Sequence, residues 1–254
     1  MNCLRPKPTL HRLGLQATRG SAISQPLAPR SKDTTMTKAR RLLKIALPAV
    51  LAAAAMPMFA QMPTSAPGKP DKSLVVAGTY AADPDHTLVG WRLNHMGFND
   101  YFGLFGAIKG TLTIDPAHLE NATISATIPV AKITTVNPAL TGHLLKAPAK
   151  PGGKPDFFGP APADATYVST SVVPGKDGTS ATINGNLTLN GVTKPVTIAA
   201  TFVGAGPSMM TKVPAVGFHG KASIKRSEFG LGNYVPLVSD RVDLEISIAF
   251  EKTK

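Results

Sequence analysis

The sequence predicts an all-β fold, an antiparallel barrel of about eight strands with one or two short helices. From residue 87 onward, apolar and polar residues alternate with a period of two in run after run. The 254 residues include 23 Gly and 23 Pro, which is typical of a chain with many turns. Helical periodicity is nearly absent, so strands with one apolar face must cover each other, either in a closed barrel or in a sandwich.

The elements follow in order along the chain. A helical turn is expected near Phe98–Leu104 and another in Pro138–Lys146. Between and around them, the alternating runs that predict strands are 74–80, 87–93, 111–115, 123–130, 166–173, 182–202, 216–224 and 242–250. The run 182–202 contains Asn190-Gly191 at its middle, and Asn-Gly is a strong signal for the turn of a β-hairpin.

Several apolar faces carry small residues where a packed sandwich would use Leu or Phe. These residues are Gly185, Ala200, Gly220 and Ala222. Small side chains inside an eight-stranded barrel leave space for one small ligand, which favours a barrel with a cavity. They are also found at bulges and where strands pack closely, and the pattern alone leaves both interpretations open.

The N-terminal segment reads as an export signal. From Met36 onward, a basic stretch precedes an apolar run over 45–55, and Ala60 ends the segment with a small residue. The run is shorter than the ~20 residues that span a bilayer. We therefore expect a disordered extension or an over-called start at 1–35, a signal peptide at 36–60, a linker at 61–73 and the barrel at 74–254, with cleavage near Ala60 and a periplasmic or secreted product.

The charge distribution argues against a nucleic-acid partner. The formal net charge is +12, but residues 1–60 contain ten Lys and Arg against one acid, Asp33. The remainder is nearly neutral, so it offers no basic face to a phosphate backbone. The one cysteine, Cys3, precedes the predicted signal peptide, so no disulfide is expected in the exported chain. The sequence leaves the oligomeric state open, with a homodimer as one option, and it allows a transient membrane contact.

The sequence contains no recognisable catalytic or metal-binding motif. No G-x-S-x-G, H-E-x-x-H, P-loop or G-x-G-x-x-G pattern occurs, and the histidines after residue 60 are scattered (His86, His95, His118, His143 and His219). We therefore predict no catalytic residue, metal or cofactor, and binding rather than catalysis. Two alternatives remain: a secreted enzyme for a hydrophobic substrate that uses His95 or His219, and a structural or stress protein with an incidental cavity.

Two polar residues stand out by their parity. Counting by twos from Trp91 reaches His95, and counting by two from Ile224 reaches Arg226, so both continue an apolar face. They could contact the polar end of a ligand near the barrel mouth. Alternatively, the strand ends before each residue, or each is paired structurally, for example with Asp240.

Several stretches together resemble one known family, the YceI-like proteins, which are exported polyisoprenoid-binding barrels. The resemblance covers about residues 76–252. It is carried by the hairpin 183–196 (INGNLTLNGVTKPV), by the segment 226–230 (RSEFG), by Asp85-His86-Thr87 with Trp91 and His95, by the Gly103-x-Phe105-x-x-Ile108-x-Gly110 spacing, and by His143-Leu144 with Asp156-Phe157-Phe158. The chain departs from the family pattern at Leu140-Thr141-Gly142 and in the insertion Ala147–Lys154.

The resemblance implies a lipocalin-like extended barrel whose apolar interior holds a long polyisoprenoid lipid, such as an isoprenoid quinone, without catalysis. In such a barrel the apolar strand faces point inward and would line the lumen. The residues expected there are Val89, Trp91, Leu93, Phe105, Leu187, Leu189, Ile198, Phe218, Ala222, Leu244 and Ile246, with His95 and Arg226 as candidate polar contacts.

Overall fold

The computed structural model describes residues 64–253. The predicted extension 1–35 with Cys3, the predicted signal peptide 36–60 and the cleavage site near Ala60 lie outside the described residues. Within them the chain forms one α-helix and ten strands: β1 (Gly78–Ala82), β2 (Leu88–His95), β3 (Asn99–Phe105), β4 (Lys109–Ile114), β5 (Thr123–Ile128), α1 (Pro138–Leu144), β6 (Ala165–Pro174), β7 (Ser180–Leu189), β8 (Val192–Pro207), β9 (Pro214–Lys225) and β10 (Arg241–Lys252).

Eight of these strands close into an antiparallel barrel, which decides between the two predicted architectures. The ring runs in the order β1-β4-β5-β6-β7-β8-β9-β10, and β10 pairs with β1 again. Register shifts in β6 and in β8, where Phe202 and Gly204 flank the irregularity, mark bulges that help long strands curve around the ring. The prediction of a barrel of about eight strands is confirmed.

The β2–β3 hairpin joins the barrel through β10. One edge of β10 pairs with β1 over part of its length and with β2 over another part. Residues 250–252 of β10 pair with β1, and residues 243–247 pair with β2. The outer edge of β3 is covered in turn, because Leu104 and Thr134 exchange two backbone hydrogen bonds of 2.9 Å. The segment that contains Thr134 therefore continues the wall where the regular ladder ends.

The prediction of a helical turn near Phe98–Leu104 is wrong, because residues 99–104 belong to β3 and Phe98 lies in the turn before it. The inner face of this strand carries Tyr101, Gly103 and Phe105, while Phe102 and Leu104 on its outer face are 59% and 44% exposed. Since apolar residues lie on both faces, the alternation that identifies a strand is lost in the sequence. The second predicted helix is confirmed as α1.

Individual side chains explain the start of α1 and the position of the turn between β7 and β8. The Asn137 side chain accepts a hydrogen bond from the Ala139 N–H at 2.9 Å and so caps α1, which has proline at its first position. The turn between β7 and β8 places Asn190 at φ 51° and Gly191 at φ 76°, as a type I′ turn requires. The hairpin predicted from Asn-Gly is confirmed.

One of the small inward residues serves close packing. A Cβ atom at Gly185 would overlap the Tyr167 ring and would lie 2.6 Å from the carbonyl oxygen of Val168. Gly185 therefore leaves room for the large ring on the neighbouring strand. Its position reflects a filled interior, which is one of the two interpretations that the sequence left open.

We expect Gly185→Ala to lower the free energy of unfolding by about 1–3 kcal/mol, because the added methyl group overpacks the Tyr167 site. Gly142→Ala is the matched control, since nothing lies within 4 Å of a Cβ atom there and alanine favours a helix. Urea denaturation of both variants measures the effect. Equal stability of Gly185→Ala and the wild type would contradict the close packing.

Candidate functional site

The interior of the barrel is divided along its axis into two parts. One part, here called the packed end, is a dense cluster to which strands and loops contribute together. Residues from the connections between strands plug it, among them Val130, Ile133, Leu144 of α1 and Phe229. The other part, here called the cavity end, contains the buried residues Tyr80, Ala82, Leu112, Ile114, Ala205, Val216 and Phe250.

Arg226 holds the plug of the packed end in place. It is 4% exposed and lies in the short 3₁₀ helix Arg226–Phe229 that follows β9. Its guanidinium donates to the carbonyl oxygens of Ser239 (2.9 Å), Asn233 (2.8 Å), Val238 (2.7 Å) and Leu231. Burial lowers the pKa of Arg226, while Asp240 opposes this shift. The carbonyl groups replace the water that the buried charge has lost.

The cavity end encloses a cavity of about 520 Å³, which lies within the usual range for small-molecule sites. Its wall is largely apolar. It includes Val89, Ile108, Leu112, Ile114, Leu119, Ile124, Ala126, Ile128, Val172, Ile183, Ile198, Ala200, Phe202, Phe218, Gly220, Ile246, Ile248 and Phe250. Among the described lining residues, Lys72 is the one Lys or Arg, and no Asp or Glu is present. An uncharged, largely hydrocarbon molecule therefore matches this cavity.

The cavity reaches the surface at the end of the barrel where Lys72, Pro116 and Thr179 line it, since these residues are exposed. The segment 67–77, here called the strap, crosses this end. Lys69 and Ala205 of β8 exchange two backbone hydrogen bonds of 2.9 Å. Part of the predicted linker 61–73 is thus held against the barrel, beside the opening.

The β6–β7 turn forms another part of the rim. The Asp177 carboxylate accepts hydrogen bonds from the backbone N–H groups of Thr179 (2.9 Å) and Ser180 (2.8 Å) and from the Ser180 hydroxyl (2.9 Å). These bonds favour the charged form and lower the pKa of Asp177 to about 2. The turn beside the opening is therefore ordered by a carboxylate that stays charged at neutral pH.

Tyr167 separates the cavity from the packed end. Its ring belongs to the packed end and also lines the cavity. Its hydroxyl lies 3.2 Å from the carbonyl oxygens of Ile183 and Val196 and donates to them. Burial raises the pKa of Tyr167 to about 12. The hydroxyl is thus satisfied by the protein, and the ring forms a fixed floor for the cavity.

The residues predicted to line the lumen fall into two groups. Four of them line the cavity: Val89, Ile198, Phe218 and Ile246, of which Ile198 also packs against the packed end. The other seven belong to the packed end or pack against it: Trp91, Leu93, Phe105, Leu187, Leu189, Ala222 and Leu244. Of the four small residues, Ala200 and Gly220 line the cavity. Alternation identified inward-facing residues but did not separate the two ends.

The two candidate polar contacts lie away from the cavity wall. Arg226 is engaged with backbone carbonyl groups at the packed end, as described above. His95 is the last residue of β2 and forms an isolated bridge with Val238. β9 ends before Arg226 and β2 ends at His95. The alternation of inward and outward side chains therefore no longer predicts where these two residues point.

Sequence reasoning missed Thr87 and Tyr167 in the cavity wall. Both could have been found from the alternation in the predicted runs 87–93 and 166–173 that contain them. Thr87 lies two residues before Val89 and four before Trp91, so it belongs to the same face, and Tyr167 lies in the predicted alternating run 166–173. Thr87 is 0% exposed, and its hydroxyl has no hydrogen-bond partner.

In residues 64–253 no group of three His, Asp or Glu side chains is arranged as metal ligands would be. No helix in this part of the chain has the length and apolar character needed to cross a bilayer.

Comparisons with known proteins agree on one family. The model of the YceI-like domain matches residues 80–250. The UPF0312 protein of Pseudomonas fluorescens is 37% identical over 186 residues, which are 71% of this chain and 90% of that protein. Protein YceI of Escherichia coli is 35% identical, over 68% of this chain and 86% of that one. The crystal structure of Burkholderia cenocepacia BcnA has the same fold, with a TM-score of 0.54 and 24% identity, over 66% of this chain and 98% of that one.

The floor of the cavity can be tested through the ionisation of Tyr167. Because burial raises its pKa to about 12, the neutral ring contributes stability that is fully present below pH 10 and is lost as the pH rises toward 12. We expect Tyr167→Phe to cost about 1 kcal/mol at pH 7, from the lost hydrogen bond, and to weaken the alkaline loss of stability.

Denaturant unfolding at pH 7 and pH 11 measures both effects. Tyr101→Phe, at a half-buried ring 6.4 Å from Trp91, controls for the loss of a phenol hydroxyl at neutral pH. An alkaline stability profile that is the same in Tyr167→Phe and wild type would contradict the proposed burial of the neutral phenol.

Proposed function

The chain belongs to the YceI-like domain family, and on this premise we propose that it binds a long-chain polyisoprenoid lipid in the cavity of its barrel. The observation that carries the proposal is the apolar cavity of about 520 Å³ with an opening at one end. The lipid class follows from the family resemblance, and the chemistry of the wall supports it. We further propose that the ligand is an isoprenoid quinone or a related lipid that the protein carries or sequesters.

The hydrophobic effect supplies the driving force for such a ligand. Burial of hydrocarbon contributes about 0.8 kcal/mol per CH₂ group, so each five-carbon isoprene unit contributes roughly 3–4 kcal/mol before ordering costs. A few units inside the cavity are enough for useful affinity. The remainder of a long chain would extend through the opening beside the strap.

We propose that the protein acts by binding and not by catalysis. The wall of the cavity combines aliphatic side chains with the adjacent rings of Phe202 and Phe218. It also includes Tyr167, whose hydroxyl already has partners. His219 contributes to the lining but is itself exposed on the outer side of β9. This arrangement offers a hydrophobic container and no paired acid and base inside it.

We propose export as the setting of this function, because the segment 36–60 has the order of a signal peptide. The mature N-terminus is expected near Gln61, six residues before the strap begins. N-terminal sequencing of the protein from the periplasm or medium of its own host measures it. Retention of residues 36–60 in the purified protein would instead indicate a membrane-anchored form.

Filling the cavity should displace the lipid. We expect Ala200→Phe to lower the lipid content per protein with little loss of stability, because Ala200 lines the cavity and the added ring takes space from the ligand. Ala222→Phe is the matched control. It packs against the packed end, so the same ring should cost about 1–3 kcal/mol of stability and leave the lipid content of the folded protein unchanged.

The measurement is organic extraction and mass spectrometry of protein purified from its own host, together with thermal unfolding. Wild-type protein without extractable lipid, and without affinity for added isoprenoids, would contradict the proposed function. So would equal lipid content in Ala200→Phe and the wild type.

A further inference from the structure

Thr87 lies at the seam where β10 changes partners. β10 pairs with β1 through residues 250–252 and with β2 through residues 243–247, and Leu88 is opposite Ser247. Continuing this register places Thr87 level with Ile248, between the two paired stretches. The regular ladder is interrupted at this level, between Ile246 and Phe250 of β10, which both line the cavity.

The Thr87 hydroxyl is an unpaired polar group in an apolar wall. The residue is 0% exposed, it lines the cavity, and its Oγ1 has no hydrogen-bond partner. Buried hydroxyl groups are nearly always hydrogen-bonded, because an unmade bond costs free energy. Valine has the same shape and would avoid this cost. A threonine at this position is therefore expected to form its hydrogen bond with a molecule other than the protein.

One other buried side-chain nitrogen or oxygen atom in the described part of the chain lacks a partner, and its surroundings are different. The Trp91 Nε1 atom belongs to the packed end, where the indole ring lies over Gly103 and near Tyr101. Trp91 does not line the cavity. Thr87 therefore carries the one unpaired buried side-chain group among the described residues that line the cavity.

We propose that the Thr87 hydroxyl forms a hydrogen bond with an uncharged oxygen of the bound isoprenoid, so that the cavity selects oxygen-bearing lipids over pure hydrocarbons. This inference rests on the proposed function. The fitting groups are the carbonyl of an isoprenoid quinone and the hydroxyl of an isoprenoid alcohol, since threonine can donate to the first and donate to or accept from the second.

The charge of the wall argues against a phosphate at this depth. A buried phosphate would need cationic partners, and the one lysine of the described lining, Lys72, lies at the opening beside Gly178. The ligand oxygen at Thr87 is thus expected to be neutral. Its hydrocarbon chain would run along the wall toward the strap.

The experiment compares four ligands of similar length on protein freed of lipid. They are a four-unit isoprenoid quinone, the four-unit isoprenoid alcohol, its diphosphate and the saturated hydrocarbon of the same skeleton. Dissociation constants from isothermal titration calorimetry, at one fixed detergent concentration, are measured for the wild type, Thr87→Val and Thr87→Ser. Thr179→Val is the matched control, because Thr179 also lines the cavity but is exposed at its rim.

We expect the wild type to bind the quinone or the alcohol about tenfold more tightly than the hydrocarbon. Thr87→Val should remove this preference, leave hydrocarbon binding unchanged and unfold no more easily than the ligand-free wild type. Thr87→Ser and Thr179→Val should keep the preference. The difference between quinone and alcohol identifies which oxygen the site prefers.

Three results would overturn the inference while lipid binding stands: equal binding of the oxygen-bearing ligands and the hydrocarbon, diphosphate binding that depends on Thr87, or a Thr87→Val variant that loses all ligands equally. Lower stability of ligand-free Thr87→Val would also overturn it, because the hydroxyl would then have a partner within the protein. Failure of the wild type to bind any of the four ligands would instead contradict the proposed function itself.

Discussion

The architecture depends on the pairing of β10 with three other strands. One edge of β10 pairs with β9 along nearly its whole length, and the other edge is divided between β1 and β2. The contact with β1 closes the ring, while the contact with β2 adds a hairpin that extends the wall beyond it. A single strand thus determines both the closure of the barrel and the position of the seam.

The division of that edge explains why the two ends of the interior differ. Where the β2–β3 hairpin extends the wall, the segment from Val130 to Leu144, which includes α1, and the segment from Phe229 to Leu231 plug the space between the strands. Where β1 and β4 complete the ring, the rim consists of short turns and the strap, and the cavity remains. The cavity is therefore a consequence of how the loops are distributed.

The strand pattern made the barrel predictable, but it could not locate the cavity. Alternation places Val89 and Trp91 on the same inner face, yet the first lines the cavity and the second lies in the packed end. The height of a residue along the barrel axis depends on the strand register. Whether the interior is filled at that height depends on the segments between strands, which have no periodic pattern. β3 was missed because both of its faces are apolar, and Arg226 was ambiguous because its partners are carbonyl groups of a loop that no pattern predicts.

The strap bears on how fast a molecule enters or leaves the cavity, which is a separate question from how tightly that molecule binds. It is tied to β8 by the backbone pair of Lys69 and Ala205, and its lysine at 72 lies against the β6–β7 turn. A segment held by few bonds opens locally at much lower free energy than the barrel unfolds. We therefore expect the residence time of a bound molecule to depend on the opening of the strap, and the choice of molecule to depend on the wall. Evolution or design could alter one without the other.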